Sequence, residues 1–157
     1  MISLGIDPGT RRIGYGIVGK EYTDTNFLAA GILKIESKSD IPALEETKRE
    51  IDNLIKQFKP DVLVIEKLYF TKNQKTGIAV AQARGVVLLA AAECGIRIKE
   101  YAPNEIKLGI TGYGLADKKA VFKMVKLILK KPDLKIIDDA SDALAMAIMG
   151  CNEISTA

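Results

Sequence analysis

The apolar run VLVI at residues 62–65 restricts the fold of this chain more than any other segment. It follows a segment that contains Pro60, ends at Glu66, and has no polar residue that would mark a solvent-facing side. A strand without polar alternation is expected to be covered on both faces, as central parallel strands are. Because parallel strands need long crossover connections, this run favours an α/β protein.

The residues before this run predict three antiparallel strands. A period-two alternation of apolar with small or polar residues marks residues 2–7 and 12–17, with a turn at Pro8-Gly9 between them. A third strand is expected around residues 26–35. The connections are too short for crossover helices, so these strands form a meander.

The remaining segments predict mostly helices. We expect helices at 42–58, 77–93, 117–131 and 138–150, a strand at 96–101, and a loop or broken helix at 103–114, which contains three glycines. The order β-β-β-α-β-α-β-α-α predicts a single α/β domain over residues 1–157. Its mixed five-stranded sheet would have three antiparallel and then two parallel strands, flanked by helices.

Composition excludes several classes of protein. The chain has no histidine, which rules out Ser-His-Asp, Cys-His and histidine-zinc chemistry. It has no phosphate-loop motif of the form GxxxxGK[ST]. Its two cysteines, Cys94 and Cys151, lack metal-ligand spacing. We found no signal peptide and no stretch of 18 or more apolar residues, so a cytoplasmic protein without membrane contact is expected.

Positive charge is concentrated in two segments, although the net charge is only +3. Residues 67–92 contain four basic residues and no acid, and residues 107–131 contain seven lysines and one acid, Asp117. Such segregation suits an anionic polymer, although two solvated helix faces would give the same pattern.

Four acidic residues stand next to apolar sequence at the ends of predicted elements: Asp7, Glu66, Asp139 and Asp142. The first two end strands, where ligands bind in open α/β sheets. The other two are three residues apart on a helix, so their Cβ atoms lie roughly 5–6 Å apart on one side. Converging carboxylates repel one another unless cations are bound, and Mg²⁺ prefers oxygen ligands. The pattern indicates metal-assisted phosphodiester hydrolysis.

Simpler roles compete at two of these places. Acids at a helix N-terminus often act as caps, so Asp138 and Asp139 have a structural alternative. Asp138 could also replace Asp139 as a ligand, because Asp138 and Asp142 are four apart and share a face. Glu66 could be a solvated strand end.

Several short motifs occur together along the chain. They are GIDPGT at 5–10, GYG at 14–16, IE at 65–66, QARG at 82–85, the segment from Tyr101 to Lys107, and DASDALA at 139–145. In content and order they resemble the RuvC family of Holliday-junction resolvases, from Ile2 to about Ile148. The resemblance implies an RNase H-like fold.

The resemblance also implies roles for individual residues. Asp7, Glu66, Asp139 and Asp142 would be the catalytic metal ligands, holding two Mg²⁺ ions that Mn²⁺ can replace. Tyr69 would stack on an unpaired base, and Lys107 and Lys118 would lie near the scissile phosphate. The remaining predicted DNA contacts are Phe70, Lys72, Lys75, Arg84 and Lys119.

The activity that the resemblance implies is the resolution of four-way DNA junctions by paired symmetric nicks, in homologous recombination and DNA repair. The partners would be junction DNA, a second copy of the chain and a branch-migration helicase complex. The apolar helix at 77–93 is the candidate dimer surface.

Three other readings remain open. Residues 7–10 also resemble the phosphate-binding turn of actin-like ATPases, although that fold needs two lobes. A DNA-structure-binding protein without catalysis could keep the same fold. A related nuclease acting on RNA is the third, because no feature here reads or excludes a 2′-hydroxyl.

Overall fold

A computed structural model describes residues 1–69 and 74–152 of the 157-residue chain. Within those ranges, strands and helices alternate much as the sequence predicts. The strands are β1 Ile2–Asp7, β2 Arg12–Glu21, β3 Asp24–Lys34, β4 Val62–Glu66 and β5 Arg97–Tyr101. The helices are α1 Asp40–Phe58, α2 Gln74–Glu93, α3 Pro103–Thr111, α4 Lys118–Ile128 and α5 Asp138–Asn152.

The five strands form one mixed sheet in the order β3-β2-β1-β4-β5. β1 and β2 are antiparallel, as are β2 and β3, whereas β4 pairs in parallel with both β1 and β5. This confirms the predicted arrangement of three antiparallel and two parallel strands. The run at 62–65 is fully buried, because β4 is a central strand with helices on both faces.

Alternation along the strands divides the core into two layers. Leu4 and Ile6 of β1 and Leu63 and Ile65 of β4 pack towards α1 and α2. Val62 and Val64 belong to the other layer, with α3, α4 and α5. Because successive side chains of a strand point to opposite faces, the residues that end β1 and β4 belong to the α5 side.

Three glycines let α5 lie directly on β1 and β2. A Cβ on Gly5 would stand 1.9 Å from the carbonyl oxygen of Ala143, and one on Gly16 would stand 2.6 Å from the amide nitrogen of Leu144. At Gly14 the carbonyl oxygen of Asp139 would be 2.2 Å away. The absence of these side chains therefore sets how closely the helix approaches the sheet.

The prediction for residues 103–114 was too cautious, because a regular helix spans Pro103–Thr111. Pro103 starts it, and the carboxylate of Glu105 accepts a hydrogen bond from the backbone N–H of Ala102 at 2.6 Å. Ile106 and Ile110 are buried one turn apart, and Gly112 ends the helix with a left-handed φ of 78°. Burial and end signals thus outweigh the low helix propensity of the internal Gly109.

Some predicted helix bounds also shift. α1 begins at Asp40 rather than 42, α2 begins at Gln74 rather than 77, and α5 continues to Asn152. α4 ends at Ile128, before the expected stop at Pro132, because Lys130 has a left-handed φ of 54°.

Helix α2 is largely apolar, as the sequence predicts. By length and composition alone, its segment Lys75–Glu93 is long and apolar enough to cross a membrane, with 22% of it buried. A helix packed on protein passes the same test, and here Val87 and Ala91 are buried against α1. The opposite side of α2 leaves Ile78 and Leu89 more than half exposed.

Candidate active site

Asp7 and Glu66 come together because β1 and β4 are adjacent parallel strands in register. Ile6 pairs with Ile65, so the next residue of each strand ends at the same edge of the sheet. Both acids follow a residue that points to the α1 and α2 layer, so both point to the α5 side. Their meeting at the carboxyl ends of the strands was predicted from the sequence.

Asp142 reaches the same place from the first turns of α5. Asp7, Glu66 and Asp142 line one cleft of about 300 Å³, together with Lys107 and Lys118. Its apolar walls are Pro103, Ile106, Val121, Ala145 and Met146. Three of the four predicted ligands therefore share a cavity that helices α3, α4 and α5 partly shield from water.

The buried carboxylates raise one another's pKa values. Desolvation, reinforced by the charges of Asp142, Asp139 and Glu66, raises the pKa of Asp7 to about 7. Desolvation also raises the pKa of Glu66 and of Asp142 above their ordinary values. An acidic site that is costly to ionise in this way is suited to cations.

Two lysines offset part of this negative charge. The Nζ of Lys118 lies 3.4 Å from Oδ2 of Asp142, and its charge lowers the pKa of that carboxyl against the effect of burial. Lys107 acts in the same direction on Glu66. Lys118 follows Asp117, which caps α4 by accepting the backbone N–H of Ala120 at 2.8 Å. The predicted pair of lysines thus lies at the acids.

Asp139 stands beside the cleft rather than in its lining. Its carboxylate is 4.0 Å from Nε of Arg12, and its charge still contributes to the raised pKa of Asp7. Asp138 instead lines a smaller neighbouring cleft with Lys119. The charge of Asp139 raises the pKa of Asp7, whereas Asp138 has the larger effect of the two on Asp142, so these effects do not choose between them.

The acids do not form a compact metal centre as the side chains stand. In the ranges 1–69 and 74–152, no group of three Asp, Glu, Cys or His side chains is close enough to hold an ion. The donor set nevertheless fits a hard divalent cation, since every available ligand is a carboxylate and their mutual repulsion would be relieved by it.

The predicted DNA contacts are placed unequally. Tyr69, three residues after the end of β4, is 59% exposed, and Lys75 and Lys119 are also exposed. Arg84 is not, since its side chain is only 13% exposed and pairs with Glu100. Phe70 and Lys72 lie outside the described residues.

Arg12 and Glu100 were missed by the sequence analysis. Arg12 begins β2, two residues before Gly14. Gly14 pairs with Asp7 of β1, and this pairing brings Arg12 near the acids. A hairpin alignment of the first two strands could have indicated this. Nothing in the sequence signals the pairing of Glu100 with Arg84, because it joins a strand to a helix 16 residues away.

The sequence matches, over residues 3–150, the family model described as Crossover junction endodeoxyribonuclease RuvC. The chain belongs to the RuvC family. A RuvC from Natranaerobius thermophilus is 44% identical over 149 residues, covering 94% of this chain and 92% of that protein. A RuvC from Fusobacterium nucleatum is 42% identical over 154 residues, covering 98% and 81%.

Solved structures agree with this assignment. RuvC of Thermus thermophilus has a TM-score of 0.88 and 27% identity, covering 99% of this chain and 96% of that one. The same protein in complex with a Holliday junction substrate has a TM-score of 0.88 and 24% identity, with the same coverage. The predicted RNase H-like fold is confirmed. RuvC enzymes are endodeoxyribonucleases, and the family implies a general dependence on divalent metal.

Proposed function

We propose that this chain resolves four-way DNA junctions by making paired symmetric nicks, in homologous recombination and DNA repair. One observation carries the proposal: Asp7, Glu66 and Asp142 share a cleft with Lys107 and Lys118. Acids that can hold cations, next to lysines that can hold a phosphate, are what phosphodiester hydrolysis requires. The junction-bound Thermus relative indicates the substrate.

Asp7, Glu66 and Asp142 would hold the metal from within the cleft, and Asp139 would join them by turning away from Arg12. When bound, two Mg²⁺ or Mn²⁺ ions would acidify the attacking water and stabilise the leaving oxygen. The raised pKa of Asp7 supports this assignment, because ionised carboxylates in this cleft lack enough positive charge of their own.

The chain's own cations would position the DNA strand. Lys107 and Lys118 lie on the helix side of the acids, where they can bind non-bridging oxygens of the scissile phosphate. The apolar walls Ile106, Val121 and Met146 restrict water to the open side of the cleft. Hydrolysis would leave 5′-phosphate and 3′-hydroxyl ends that a ligase can rejoin.

Exposed lysines extend from this cleft along α4. Lys119 and Lys123 are four residues apart on one exposed face of the helix. With Lys75 at the start of α2, they would bind phosphates of the junction arms. Tyr69 would stack on an unpaired base at the junction centre. Junction affinity should therefore fall steeply as salt concentration rises.

A homodimer would match the near two-fold symmetry of a junction, with one active site for each nick. Helix α2 is the candidate interface. Ile78 and Leu89 are 58% and 54% exposed, and they are three helical turns apart on one side of the helix. Burying them against a second copy would remove the large exposed hydrophobic side chains of α2 from water.

The remaining parts of the proposal concern the cellular setting. A single 157-residue nuclease domain would act in the cytoplasm with a branch-migration helicase complex.

The test is a nicking assay on a synthetic four-way junction with Mg²⁺. Wild-type protein should make symmetric nicks, whereas Asp7→Asn and Asp142→Asn should bind the junction without cutting it. Glu45→Gln is the matched control. It removes an exposed carboxylate of α1 that does not line the cleft, so it should leave nicking unchanged.

Each other outcome has a definite meaning. Junction binding without cleavage under any divalent metal would indicate a DNA-structure-binding protein. Tight ATP binding without junction binding would indicate the actin-like alternative. Equal cutting of junction DNA and structured RNA would contradict the assigned substrate.

A further inference from the structure

Arg84 connects three elements beneath the active site. It lies on α2, and its Nε donates to the backbone carbonyl of Glu66, the last residue of β4, at 3.2 Å. Its terminal nitrogen pairs with the carboxylate of Glu100 on β5. With 13% of its side chain exposed, the guanidinium is largely withdrawn from solvent.

These contacts hold the end of β4 from the helix side. From the other side, the N–H of the next residue, Lys67, donates to the carbonyl of Tyr101 at 2.8 Å. The peptide group that joins Glu66 to Lys67 is therefore held both at its carbonyl oxygen and at its N–H. Its carboxylate points into the cleft that Asp7 and Asp142 also line.

The direction of the Glu66 side chain depends on this backbone position. The described acids do not form a group that could hold an ion as their side chains stand, so the position of the strand end affects which of them can meet. An arginine suits the task because its planar fork can bond a carbonyl and a carboxylate at once, whereas a lysine ammonium is a single point of charge.

We propose that Arg84 is a positioning residue that holds Glu66 for divalent-metal binding, and that it does not contact DNA. The inference rests on the proposed function of the cleft. It replaces the role predicted for Arg84 from sequence, where a basic residue in an acid-free segment indicated a phosphate contact. Lys75, which is exposed on the same helix, keeps that role.

The first measurement is the affinity for Mn²⁺ in the absence of DNA, determined from the electron paramagnetic resonance signal of free Mn²⁺. Arg84→Met should weaken binding by about 10–100-fold, as loss of an outer partner of a metal ligand does. Glu100→Gln should weaken it in the same direction, and the double variant should be no worse than Arg84→Met. Arg97→Met, which removes an exposed charge at the opposite end of β5, is the control and should bind Mn²⁺ normally.

The second measurement separates positioning from DNA contact. Single-turnover nicking should slow in Arg84→Met, while the affinity for a four-way junction in EDTA and its salt slope stay unchanged. Arg84→Lys should not restore Mn²⁺ binding, because lysine cannot make both contacts. If Arg84→Met does not fold, Glu100→Gln and Arg84→Lys provide the same two readouts.

Two results would overturn the inference. In the first, Arg84→Met binds Mn²⁺ normally but binds the junction more weakly, with a salt slope smaller by about one, and Arg84→Lys restores junction binding. That result would make Arg84 a phosphate contact. Normal values in every assay would give it no role in the site. A wild-type protein that neither binds Mn²⁺ nor nicks would instead refute the proposed function.

Discussion

Replacing Asp7 with asparagine should stabilise the protein in EDTA at pH 8, although it removes a proposed metal ligand. The ionised form of Asp7 is unfavourable in the fold, because burial and the charges of Asp142, Asp139 and Glu66 raise its pKa to about 7. Asparagine resembles the neutral acid in shape and carries no charge. The substitution should therefore relieve a cost that the wild type bears once Asp7 is ionised.

The magnitude follows from the two pKa values. The carboxyl titrates near 3.8 when exposed and near 7 in the fold. Each pH unit between them corresponds to about 1.4 kcal/mol, so ionising Asp7 at pH 8 costs at most about 4 kcal/mol. The folded state holds the Asp7 proton more tightly than the unfolded chain does, so the contribution of this group to stability is full below about pH 4. It falls as pH rises through about 7 and is level above that.

The assay is urea unfolding of both proteins in EDTA at pH 4 and pH 8. Asp7→Asn should be more stable by about 2–4 kcal/mol at pH 8, and by less than about 1 kcal/mol at pH 4. Saturating Mg²⁺ at pH 8 should reverse the order, since it stabilises only the wild type. Glu45→Gln, an exposed acid, should change stability little at either pH. A variant less stable than wild type at pH 8 in EDTA would refute the electrostatic reasoning.

Three further perturbations have definite expectations. Lys118→Met should move the acid limb of the nicking rate to higher pH, because this lysine lowers the pKa of Asp142; an unshifted pH–rate profile would contradict the contact. Gly14→Ala should lower stability by about 1–3 kcal/mol and reduce nicking, since its Cβ would stand 2.2 Å from the carbonyl oxygen of Asp139. Gly19→Ala on the same strand meets only a flexible leucine side chain at 3.4 Å and should melt near the wild type. Leu89→Glu should give monomers in analytical ultracentrifugation, and a persisting dimer would place the interface elsewhere.

Much of the fold follows from local periodicity. The apolar run at 62–65 and the alternation at 2–7 identify a central strand and its neighbour, because burial on two faces or one leaves a different pattern. The three-residue spacing of Asp139 and Asp142 puts both on one side of a helix. Asp7 and Glu66 end buried strands, and parallel strands bring such ends to one edge of the sheet. The acids of the site were thus predictable from their positions within elements.

The pairings between elements were decided by the tertiary structure. Arg84 and Lys75 look alike as basic residues of one acid-free segment, yet one is held by Glu100 and the carbonyl of Glu66 while the other is exposed. Residues 103–111 form a helix because Ile106 and Ile110 are buried where α3 packs against α4 and α5, which the three glycines of residues 103–114 conceal. Periodicity reports which way a residue points within its own element. Which groups a residue meets depends on how closely the other elements pack. Where α5 lies on β1 and β2, glycines set the distance between the helix and the sheet.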